Sequence, residues 1–130
     1  MFKAGDVVLG DFVCANGTVL NHYSVVLLST AEGSVLAYTT SIKGNGQQTA
    51  DTFSQEDVLR ANWTKPCRWV ASTVSLVPNQ CIRKVGAITP RTMAKIQAAN
   101  LAAQRDRSIE RGVHPAFQQA MASRRGVAMA

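Results

Sequence analysis

The chain has 130 residues, 46% of them apolar and 17% charged, which is enough to bury one globular core and hardly two. No stretch approaches the ~18 uninterrupted apolar residues of a membrane span, and MFKAGDVVLGDF lacks the apolar run of a secretory leader, so a cytoplasmic location is expected. The net charge of +6 is unevenly spread: residues 1–90 hold seven Lys/Arg against six Asp/Glu, and residues 91–130 hold seven against two. A basic extension of this kind can attract phosphate without regard to sequence, and it can equally be the solvated face of a helix. Cys14, Cys67 and Cys81 are odd in number, with neither CxxC spacing nor a companion histidine cluster. Neither a disulfide framework nor a zinc site is therefore indicated; free buried thiols are expected, with no metal and no cofactor.

In chain order, Asp6–Phe12 reads as a strand, Asn16–Gly17 as a turn, and Tyr23–Ser29 (YSVVLLS) as a strand buried on both faces. The short turn at Ala31–Gly33 makes that strand a hairpin with Ser34–Thr40, all in one antiparallel sheet. Lys43–Thr52 (KGNGQQTADT) is polar and carries glycine, as a mobile loop does. Phe53–Ala61 reads as a short helix with Ser54 as N-cap and Asp57 at the capping-box position usually held by Glu. Strand character returns at Arg68–Ser72 and Cys81–Val85, with Pro78–Asn79 turning between them.

Thr89–Pro90 is a helix start: threonine accepts a backbone hydrogen bond as N-cap, and proline at the first helical position loses no needed donor. Met93, Ile96 and Leu101 form one apolar stripe, and Gly112 is a suitable stop for a helix that long. A second short helix after His114–Pro115 would carry Phe117 and Met121 on one side. The expected architecture is mainly β (β + α): a small SH3-like barrel closed by a helix over residues 1–100, then a basic helical extension over residues 101–130.

Five ordered segments, GDVVLGDF, NHYSVVLLS, AYTTSIKG, WTKPCRWVAS and IRKVGAITP, resemble the PemK/MazF family of toxin endoribonucleases over roughly residues 4–100. The resemblance implies the SH3-like barrel, a homodimer, an antitoxin protein as partner and metal-independent cleavage of single-stranded RNA. It also implies a site built from an arginine ahead of the buried strand and a threonine at the next turn. Thr40 matches the threonine. Tyr23–Ser24, preceded by His22, stands where the family commonly has Arg-Pro.

RNA can be cut without metal when its 2′-hydroxyl attacks the adjacent phosphorus, given a base, an acid for the leaving 5′-oxygen and donors on the phosphate. His22 suits acid or base work, and Thr40 is the second catalytic candidate. Thr39, Thr40 and Ser41 form a row of hydroxyls at a strand end, with Lys43 supplying charge two residues on. Tyr23 can donate one hydrogen bond but not the bidentate clamp of a guanidinium. Either His22 takes over that role or Arg68 or Arg83 reaches in from another strand. Trp63 is a candidate base-stacking surface as well as a core residue, whereas Trp69 and Cys67 read as packing. Two functions stay open: an RNA-cleaving toxin, and a non-catalytic barrel that binds nucleic acid or an antitoxin-like protein.

Overall fold

The computed structural model describes residues 1–42 and 51–117. Its frame is a six-stranded sheet: β1 (Asp6–Val13), β2 (Val19–Ser29), β3 (Gly33–Ser41), β4 (Cys67–Pro78), β5 (Ile82–Ala87) and β6 (Glu110–Val113), in the order β5-β1-β2-β3-β4-β6. All neighbours are antiparallel except β4 and β6, which are parallel. Among the described residues the sheet is joined by the helices α1 (Gln55–Arg60) and α2 (Pro90–Arg105) and by a 3₁₀ turn at Asn79–Cys81. Among the described residues no helix is long and apolar enough to cross a membrane.

Period-two alternation sends adjacent residues to opposite sides of the sheet. Val7, Val25 and Ala37 pack under the helices with Phe53, Trp69, Ile88, Met93 and Ile96. Their neighbours Val8, Val26 and Leu36 join Phe12, Val77 and Ile82 on the face turned away from α2, and Val13 at the end of β1 belongs to the same cluster. Both faces are thus covered, each large side chain contributing about 1.5–3 kcal/mol of burial.

Both helix starts follow from local chemistry. Ser54 and Asp57 form the reciprocal capping box, and the Thr89 side chain caps α2 ahead of Pro90. Asp57, fully buried, ties the two starts together. Its carboxylate accepts from Ser54 N (3.1 Å), Ser54 Oγ (2.8 Å), Thr89 N (2.7 Å) and Thr92 Oγ1 (2.5 Å).

Several expectations are corrected. The helix expected to reach Gly112 ends at Arg105, because Arg107 takes the left-handed conformation (φ 55°) and Ser108 N donates to Ala103 O (2.9 Å), a Schellman stop without glycine. Glu110–Val113, expected to be helical, is a strand instead. Its pairing with Thr73–Leu76 satisfies a backbone that a four-residue segment could not satisfy alone. Strand β4 runs on to Pro78 rather than ending at Ser72. Only Ser24–Val26 of β2 is buried on both faces, and Leu28, like Leu101 on α2, lies exposed. The three thiols are free, as expected, but half-buried rather than buried. A short helical turn does follow His114, with Phe117 against Gly33; Met121 lies outside the described residues.

Two features shape the sheet. Ala37 pairs with Val74 but Tyr38 pairs with Val70, so three residues of β4 bulge out of the ladder. Asn100 of α2 donates to the Ala71 carbonyl in that bulge (2.8 Å). The sheet also curls, bringing the end of β1 against β4 and β6: Val13 N donates to Ser75 Oγ (2.8 Å), and Asp11 meets His114. Gly112 lies so close to this end of β1 that an added Cβ would stand 1.8 Å from the Val13 carbonyl oxygen. Gly112→Ala is therefore expected to lower stability by about 1–3 kcal/mol, seen as a reduced melting temperature.

Candidate functional site

β2 and β3 supply the centre of the site. His22 lies opposite Gly10 of β1, and Ser24 lies opposite Tyr38 of β3. Strand alternation therefore puts His22, Ser24, Tyr38 and Thr40 on the face turned away from α2, and Arg68, paired with Thr40, shares it. The His22 ring stacks on Tyr38, with centroids 4.6 Å apart and planes at 4°. Its Nε2 lies 2.5 Å from the Thr39 carbonyl oxygen. A carbonyl can only accept, so Nε2 carries the proton, and in the neutral ring Nδ1 keeps the lone pair. Nδ1 has no partner among the described residues. The histidine is thus anchored on one side and basic on the other, and half-buried.

The row of hydroxyls does not act as one surface. Thr39 is buried and donates to the Tyr23 carbonyl (2.7 Å), fastening β3 to β2. The half-buried Thr40 faces the His22 side, and Ser41 is exposed at the strand end. Arg68 lies 4.0 Å from Asp51, a loose pair at the surface, and its guanidinium shows no other side-chain partner among the described residues.

Tyr23 belongs to the opposite face, where its ring meets Trp63 edge-on at 6.3 Å. Trp63 in turn packs against Phe53 (4.9 Å) at the margin of the core, and Trp69 is buried within it. Both indole N–H groups are buried with no partner among the described residues. Arg83 is exposed on β5, opposite Leu9, which itself faces Tyr23. It sits two strands from β2, roughly 10 Å away. Lys43 and most of the loop at 43–52 lie outside the described residues.

The structure therefore brings His22, Thr40 and Arg68 to one face and leaves Tyr23, Trp63 and Arg83 on the other. Tyr38, which orients the His22 ring, is a site residue the sequence reading missed. Its place two residues before Thr40 in a strand was the available signal. No family model matches the chain, and a search of curated proteins finds no significant relative.

Proposed function

We propose that the chain is a metal-independent endoribonuclease acting on single-stranded RNA, in the manner of the PemK/MazF toxins its segments resemble. The observation that supports this most is the His22 imidazole, held by the Thr39 carbonyl with Nδ1 left as a base. In this reading Nδ1 takes the proton of a 2′-hydroxyl, the 2′-oxygen bonds to phosphorus, and the bond from phosphorus to the 5′-oxygen breaks. The products are a 2′,3′-cyclic phosphate and a 5′-hydroxyl protonated from solvent. Thr40 and Arg68 donate to the phosphate, Arg68 supplying the positive charge that Tyr23 lacks. The curled sheet is read here as an SH3-like barrel, with a homodimer, an antitoxin-like partner and a cytoplasmic setting carried by the same resemblance.

Purified protein incubated with mixed-sequence single-stranded RNA is expected to yield fragments with cyclic phosphate ends. Arg68→Ala is expected to lower the rate about 10²-fold, as for loss of one transition-state donor, and Arg83→Ala to leave it unchanged. Intact RNA at micromolar protein overturns the enzyme reading. RNA retained without cleavage favours the binding module, a reading that draws on Tyr23 in the family's arginine position and on the Thr39 hydroxyl being committed to the sheet.

A further inference from the structure

Three side chains that the RNA reading does not use converge where the ends of the sheet meet. They are Asp11 near the end of β1, Cys81 in the 3₁₀ turn before β5, and His114 just after β6, all half-buried, with one donor atom each within 4.8 Å of the others. Asp11 Oδ2 is 2.9 Å from His114 Nε2. Backbone pairing holds each of them in place. Gly10 pairs with Ile82, which sets Cys81 beside β1, and His114 N donates to the Leu76 carbonyl (2.9 Å) after Val113 pairs with Leu76.

We propose that Asp11, Cys81 and His114 form a binding site for a zinc-class divalent cation, with a fourth position open to water. The donor set decides the class. A thiolate and an imidazole select against magnesium and calcium, and one sulfur, one nitrogen and one oxygen suit tetrahedral zinc. On such an ion the ligand atoms stand about 3.3–3.6 Å apart, given bonds of roughly 2.0–2.3 Å, so small side-chain movements convert the cluster into a coordination sphere. The thiol gives up its proton to the solvent. The thiolate and the Asp11 carboxylate then balance the two positive charges of the ion.

His114 adds a specific signature. Its Nδ1 now accepts from Ala116 N (3.1 Å), so Nε2 carries the ring proton toward Asp11. Coordination through Nε2 moves that proton to Nδ1, which can no longer accept from Ala116. The Ala116 amide is exposed and turns to water.

The test is titration of the full chain with Co²⁺ as a spectroscopic probe for Zn²⁺. The expected result is one ion per chain, a thiolate-to-cobalt charge-transfer band, tetrahedral visible bands, displacement by Zn²⁺, and a shift of the Ala116 amide resonance. Cys81→Ser should remove the charge-transfer band, and Cys14→Ser and Cys67→Ser should keep it. His114→Gln and Asp11→Asn should each weaken binding at least ~100-fold, the upper end of what loss of a mere outer-shell partner does. Absence of saturable Co²⁺ and Zn²⁺ binding overturns the proposal, as does a band that survives Cys81→Ser. Binding that leaves the Ala116 amide unmoved overturns the role of His114. Circular dichroism of each variant confirms that a lost band reflects a lost ligand rather than a lost fold.

Discussion

His22→Ala is expected to reduce RNA cleavage by about 10²–10⁴-fold, the range that a positioned general base contributes. The loss should fall on kcat with KM little changed, because the imidazole acts on the 2′-hydroxyl proton while Thr40 and Arg68 hold the phosphate. Removing the ring also leaves Tyr38 without its stacking partner and the Thr39 carbonyl without its donor. Tyr38→Phe removes only the phenol hydroxyl and keeps the stacking surface, so cleavage should persist. His22→Gln should stay as inactive as His22→Ala, because an amide can donate to Thr39 but has no basic nitrogen. Cleavage by the alanine variant at the parent rate would remove His22 from the mechanism.

The largest loss of stability is expected from Asp57→Ala. The carboxylate is fully buried and has four donors aimed at it from two helix starts. Alanine leaves the Thr89 amide and the Thr92 and Ser54 hydroxyls without an acceptor, and the helices lose their common anchor. The expected cost is about 3–5 kcal/mol, in line with breaking a buried charged network, measured by denaturant titration. Asp57→Asn should cost less in volume but turns an NH₂ toward donors, so it too should fall below the parent. Burial alone would raise the Asp57 carboxyl, but the hydrogen bonds from Thr89, Thr92 and Ser54 together outweigh it and hold the group below its ordinary value. A folded-state value below the unfolded one means that Asp57 stabilises fully above the ordinary carboxylate range. That contribution is lost as pH falls below about 4. The parent should therefore lose stability on acidification below this range, and the difference between parent and Asp57→Asn should shrink over the same interval.

What the sequence made legible was mostly local chemistry. The capping box of Ser54 and Asp57 and the Thr89–Pro90 start depend on residues within a turn of each other, so both are readable without a fold. The early strands are readable for a similar reason, since β-branched runs between turn residues carry their own period. β6 is different: Glu-Arg-Gly-Val is extended only because the second half of β4 offers it a partner. The end of α2 was hidden because Arg107, rather than a glycine, takes the left-handed turn. In the site, Thr39 and Thr40 looked like neighbours in function because they are neighbours in sequence, whereas a strand turns consecutive side chains to opposite faces. Alternation alone could have set Thr40 apart from Thr39 and Tyr23 apart from His22; that Thr40 shares the His22 face needs the register of β2 on β3 as well. The cluster of Asp11, Cys81 and His114 had no comparable signal, because its members come from distant segments: Cys81 reaches Asp11 through the pairing of β5 with β1, and His114 joins them through the curl of the sheet.

The bulge in β4 acts as a parity switch. Val70 and Val74 are four residues apart and would share a face in an unbroken strand, yet their partners Tyr38 and Ala37 face opposite sides. The odd number of extra residues makes the difference. It turns Val74 and Leu76 toward α2 and leaves Ser75 and Val77 against β1 and the core on the other face. The phase reversal is needed only because this spacing is even. Removing one residue between Val70 and Val74 would leave them three apart, a spacing that regular alternation already sends to opposite faces, so both halves of β4 would keep their sides with no reversal between them.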